Sequence, residues 1–211
     1  MHALPASPAP VATNKQAPAA TADADKTMQR FTEAYNKGDY INAKNIITPL
    51  AESGNPKAMF AMGLMAVRGN AMSQSPQAAA QWWQKSADAG YPDSQYHLGL
   101  LLHRGLLGPR NAEAVRSLWT KAAENGQGDA MYGLASLLKA GDGGPIDLPG
   151  AVRWYARAAD LGHPGAQYEL GVVYRDGQGV QANKAKAREL FQKASAAGLP
   201  EAKKALSTLG L

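Results

Sequence analysis

Residues 162–198 read GHPGAQYELGVVYRDGQGVQANKAKARELFQKASAAG, and the glycines at the two ends belong to a longer series. Gly54, Gly90, Gly126, Gly162 and Gly198 stand 36 residues apart. A proline follows two positions later at Pro56, Pro92, Pro164 and Pro200, with Gly128 in that place in the third unit. In the same register come small residues at Ala58, Ser94, Ala130, Ala166 and Ala202, then Gly63, Gly99, Ala135 and Gly171. Gly69, Gly105, Gly141 and Gly177 follow, and then the bulky pairs Trp82–Trp83, Leu118–Trp119, Trp154–Tyr155 and Leu190–Phe191. So many residue types in one phase identify an internal repeat, which decides the fold class before any other signal.

Each mark has a local cause. The glycines from 54 to 198 sit where a helix ends and the chain turns through a left-handed conformation. The proline beyond cannot extend that helix and is pre-set to open the next. The first helix of a unit carries small or apolar residues at 58, 62, 65 and 66, the stripe of a half-buried helix. The small residue at 63, 99, 135 and 171 admits a close neighbour, and Gly69 and its equivalents end this helix. Ser75, Asn111, Asp147 and Asn183, all preferred N-cap residues, start the second helix. That helix is expected to bury positions 79, 82, 83, 86 and 87, or Ala151, Trp154, Tyr155, Ala158 and Ala159 two units on. A lone helix pair cannot bury its own apolar face, so the array folds as a unit.

The reading is an all-α, right-handed superhelical solenoid of helix–turn–helix repeats. Its parts are an N-terminal helix pair over 26–54, repeats over 55–90, 91–126, 127–162 and 163–198, and a C-terminal capping helix over 199–211. Pro49 is expected to kink the second helix of the first pair. Residues 1–25 hold four of the 13 prolines, many alanines and no aromatic residue, which predicts a disordered linker. This segment has no apolar core of the kind a signal peptide carries.

Composition narrows the functional classes. The 211 residues contain no Cys, which removes disulfides, thiolate metal sites and Cys nucleophiles. The net charge of +5 comes from Lys and Arg interleaved with Asp and Glu, a solvated surface rather than a nucleic-acid arm. No apolar run approaches the ~20 residues of a membrane span. His97 and His103 are six apart on one helix and do not share a face, while His2 and His163 lie in the linker and a turn. No histidine pair has zinc-ligand spacing, so neither a metal nor a cofactor is expected. Gly141-Asp142-Gly143-Gly144 lacks the Lys-Ser/Thr continuation of a phosphate loop and reads as a helix–helix turn.

Residues 166–180, AQYELGVVYRDGQGV, together with 186–194, KARELFQKA, resemble the two halves of a Sel-one-like repeat. The resemblance extends over about 39–205. This family is a branch of the tetratricopeptide superfamily, and Tyr35 to Ala43 resembles an ordinary tetratricopeptide turn. The resemblance implies a non-catalytic superhelix that binds a partner protein or peptide, usually along the concave face. It also implies bacterial envelope or periplasmic members, acting as adaptors or as immunity proteins against secreted toxins such as phospholipases; the cytoplasm is the other location.

In that geometry the concave face carries Phe60, Arg68, Tyr96, His103, Arg104, Tyr132, Lys139, Tyr168 and Arg175. Aromatics beside cations are what binding hot spots are made of. The tyrosines have a second reading, as packing residues between units with the hydroxyl left wet. The basic rungs favour an acidic partner segment by charge complementarity. An enzyme and a nucleic-acid binder are the other classes. The first lacks a catalytic constellation, and the second lacks clustered cations and stacking platforms.

Overall fold

The computed structural model describes residues 17–209. Among them are eleven helices and no strand. They are α1 (Ala17–Asn36), α2 (Tyr40–Glu52), α3 (Pro56–Arg68), α4 (Pro76–Asp88), α5 (Pro92–His103) and α6 (Ala112–Glu124), then α7 (Gly128–Ala140), α8 (Leu148–Asp160), α9 (Pro164–Asp176), α10 (Lys184–Ala196) and α11 (Pro200–Thr208). Each helix packs mainly on its neighbours in sequence, which makes the array a solenoid of helical hairpins. Odd-numbered helices are the first helices of their units and even-numbered ones the second.

Helix boundaries follow from caps. The side chains of Ser75, Asn111, Asp147 and Asn183 accept from the third residue beyond, at 3.1, 3.0, 2.8 and 3.0 Å. The glycines at 54, 90, 126, 162 and 198 have φ of 83–96°, the left-handed turn into the next helix.

The core is built inside each repeat. Trp83, Trp119, Tyr155 and Phe191 are buried on the second helices. Three of them lie against a glycine of the first helix. A Cβ on Gly63 would fall inside the Trp83 indole, and one on Gly171 would stand 2.6 Å from the Phe191 ring. Gly99 faces Trp119 in the same way. Both indoles donate to a first-helix carbonyl, Trp83 to Phe60 and Trp119 to Tyr96, each at 3.1 Å.

Two sequence expectations need correction. The linker does not extend to 25: α1 begins at Ala17, because an alanine-rich stretch is strongly helix-forming and Pro18 falls in the first turn, where no backbone donor is lost. Residues 1–16 of that segment, and 210–211 of the capping helix, lie outside the described residues. Three of the four bulky pairs do not bury both members, since Trp82, Leu118 and Trp154 are only half-buried, while Leu190 and Phe191 are both buried. Lys85 lies 5.0 Å over the Trp82 ring and Arg157 4.5 Å over that of Trp154. Neighbours on a helix point well apart, so in these three pairs the core takes the second residue and leaves the first at the rim. Pro49 lies inside α2, which continues to Glu52.

Candidate functional site: the first-helix face

Phe60, Tyr96, Tyr132 and Tyr168 occupy one position on α3, α5, α7 and α9. Each rests on the buried aromatic of its own repeat, with ring centroids 6.3 Å apart for Phe60–Trp83 and 6.0 Å for Tyr96–Trp119. The Tyr132–Tyr155 and Tyr168–Phe191 separations are 5.9 and 5.6 Å. All four are half-buried: one side of each ring packs against the core and the rest is left exposed. Burial, aided by Asp129, pushes the Tyr96 hydroxyl above the ordinary range, and burial with Glu169 does the same for Tyr132.

Histidines extend this ladder. The His97 ring stands 5.1 Å from both Phe60 and Trp83 and 5.2 Å from Tyr96. His163 stacks on Tyr132 at 4.6 Å, and its Nδ1 accepts from Ala166 N–H at 3.1 Å, capping α9. Its Nε2 lies 3.3 Å from Asp129. His103 lies against Trp119 at 5.3 Å and contacts Arg110, which is itself paired with Asp142 of the next repeat. Burial, then Arg110, holds His103 below the usual histidine range.

The basic rungs are unequal. Arg68 donates to the Tyr35 hydroxyl at 2.9 Å. Lys139 pairs with Glu169 of the next first helix at 2.9 Å. Arg175 forks onto Asp176 at 2.7 and 2.8 Å, and these hydrogen bonds hold the Asp176 carboxyl below its usual range. Arg104 alone among the four rungs makes no hydrogen bond or ion pair among the described residues. The face is therefore mixed in charge, with Asp129, Glu169 and Asp176 set among the cations. Glu169 and the Arg110–Asp142 bridge were not identified from sequence, because nothing in the repeat consensus marks a contact between residues 30 or more apart.

Among the described residues no cluster of His, Asp or Glu is suited to hold a metal ion, and no helix is long and apolar enough to cross a membrane.

An array of self-closing helical hairpins with a ladder of half-exposed rings along one layer defines an α-solenoid of the protein-interaction class. The Sel1 repeat pattern matches residues 56–91, 92–127, 128–163 and 164–199, and the chain belongs to the Sel1 repeat family. A Sel1 repeat protein of Oxalobacter formigenes has a similar structure, with a TM-score of 0.78 and 28% identity, over 85% of this chain and 74% of that one. A Sel1 repeat protein of Klebsiella pneumoniae shares the fold at TM-score 0.54 and 20% identity, over 88% and 92% of the two chains. So does immunity protein Pa5087 of Pseudomonas aeruginosa, at TM-score 0.52 and 21% identity, over 82% and 68%. No curated protein matches the sequence.

Proposed function

We propose that this chain is a non-catalytic scaffold of the bacterial envelope, an adaptor or inhibitor that holds a partner protein along its concave first-helix face. The observation that carries the reading is the ladder Phe60, Tyr96, Tyr132 and Tyr168, each ring braced from behind by a buried aromatic. A braced ring loses little further freedom on binding, which is why such residues serve as anchors. An acidic stretch of the partner meets Arg104 first, the rung with no hydrogen bond or ion pair of its own among the described residues. Lys139 and Arg175 join only by exchanging Glu169 and Asp176 for it.

A narrower second reading is immunity against a secreted toxin, such as a phospholipase; immunity proteins of Pseudomonas aeruginosa share this fold. Affinity capture from the native organism with the intact chain tests both, alongside an Arg104→Glu variant, a surface change that keeps the wild-type melting temperature. A partner held by the wild type and lost by the variant supports the first-helix face, and its identity as toxin or assembly factor separates the two readings. A partner held equally by both removes the first-helix face from consideration. Fractionation of native cells tests the envelope location.

A further inference from the structure

The second-helix layer has a gap. Between α4 and α6, over α5, lies a groove of 870 Å³ floored by Leu98 and Leu102 and walled by Ala80, Leu107 and Leu118. The repeat register explains it. Position 118 corresponds to Trp82 one repeat earlier, Trp154 one repeat later and Leu190 in the last repeat, where Tyr174 supplies the ring instead. Trp82 packs against the core of the N-terminal hairpins and Trp154 against the central core, so both fill their inter-repeat seams. At the last seam the filler is Tyr174, which packs between the central and C-terminal cores. Leu118 is too short to close the seam between α4 and α6.

Charge repeats along with shape. Each filler ring carries a cation over it: Lys85 on Trp82, Arg157 on Trp154, and Lys186 on Tyr174 at 4.3 Å. Lys121 is the register equivalent of Lys85 and Arg157, and it has Leu118 where they have a ring. The Lys121 side chain makes no hydrogen bond or ion pair among the described residues, and Lys85, at the groove's rim, makes no ion pair there either. A cation over an aromatic face is attractive in its own right.

We propose that the α4–α6 groove is a second docking site, on the opposite layer from the first-helix face, for a partner segment with an aromatic side chain next to a carboxylate. The ring takes the place that Trp82 and Trp154 occupy at their own seams, Lys121 lies over it, and Lys85 and Lys121 meet the acidic group. Residues 1–16 contain no Phe, Trp or Tyr, so that part of the chain does not bring the ring.

The test is a nitrogen-15 titration of the full chain with N-acetyltryptophan, which joins an indole to a carboxylate, and with its uncharged amide. Saturable shifts are expected at Leu102, Leu107, Ala114 and Leu118, with the amide roughly two- to fivefold weaker, as an exposed ion pair allows. Leu118→Trp fills the groove from within, abolishes the shifts and raises the melting temperature. Lys121→Glu, a surface change that leaves the fold intact, reverses the preference between acid and amide. Arg104→Glu leaves the titration unchanged, which separates this site from the first-helix face. Shifts that never saturate, that persist in Leu118→Trp, or that show no acid preference overturn the proposal. Groove shifts that appear on raising the protein concentration alone also overturn it, because the occupant is then a second copy.

Discussion

Replacing Gly63 by Ala should reverse its effect on stability according to what stands at position 83. Trp83 is 2% exposed and donates to Phe60 O at 3.1 Å. Truncating it to Ala costs roughly 3–5 kcal/mol, the range for a buried large aromatic. At roughly 2–4 °C per kcal/mol for a chain of this size, the melting temperature falls by roughly 6–20 °C. In the wild type an added methyl at 63 meets the indole, and overpacking of this kind costs about 1–3 kcal/mol. The gain from replacing a mid-helix glycine offsets about 1 kcal/mol of that. With Trp83→Ala already in place the indole is gone, only the gain remains, and Gly63→Ala should stabilise by about 0.5–1 kcal/mol. Urea unfolding of the four proteins, followed by helical circular dichroism, gives the coupling, expected at roughly 1–3 kcal/mol. Effects that add to within about 0.5 kcal/mol would refute the claim that the ring sets the size of residue 63.

Trp154→Ala should cost roughly 1–2 kcal/mol and Tyr155→Ala roughly 3–5 in the same assay, because only the second ring is fully buried. His163→Ala removes the cap on α9 and should cost about 1 kcal/mol, while His163→Asn, which restores an acceptor, recovers most of it. His103 is held below its ordinary value of 6.5, so the unfolded chain binds the proton more readily in the interval beneath that value. Stability is then full above pH 6.5 and declines as the pH falls toward the folded-state value. Melting curves of His103→Gln should decline less than those of the wild type between about pH 7 and 5, the interval around the histidine value.

The repeat, the caps and the turn glycines were legible because each rests on chemistry within a few residues. Ser75, Asn111, Asp147 and Asn183 cap whatever lies around them, and glycine at a left-handed turn needs no partner. The division of labour within Trp82–Trp83 was not legible in the same way. A periodic stripe marks a sector of helix surface wide enough to include both residues, and the seam decides which one is enclosed. The start of α1 was misread because alanine suits a helix and a linker equally, and the prolines of the segment tipped the reading. On the first-helix face the rings were found by phase. The carboxylates that occupy Lys139 and Arg175 were not: Glu169 reaches back from the next helix, and Asp176 is a sequence neighbour of the kind that usually points elsewhere.

The ring-on-glycine contact within three of the hairpins bears on how the chain is made. Trp83 closes on Gly63, Trp119 on Gly99 and Phe191 on Gly171, so both halves of each lock emerge from the ribosome within one repeat. Synthesis at about 5–20 residues per second delivers a repeat every few seconds, far longer than a helical hairpin needs to form. Each new hairpin can therefore settle on the edge its predecessors present before the next appears, with little long-range search. Growth along the chain then runs in one direction, from α1 toward α11, and a truncated nascent chain should already hold its completed hairpins.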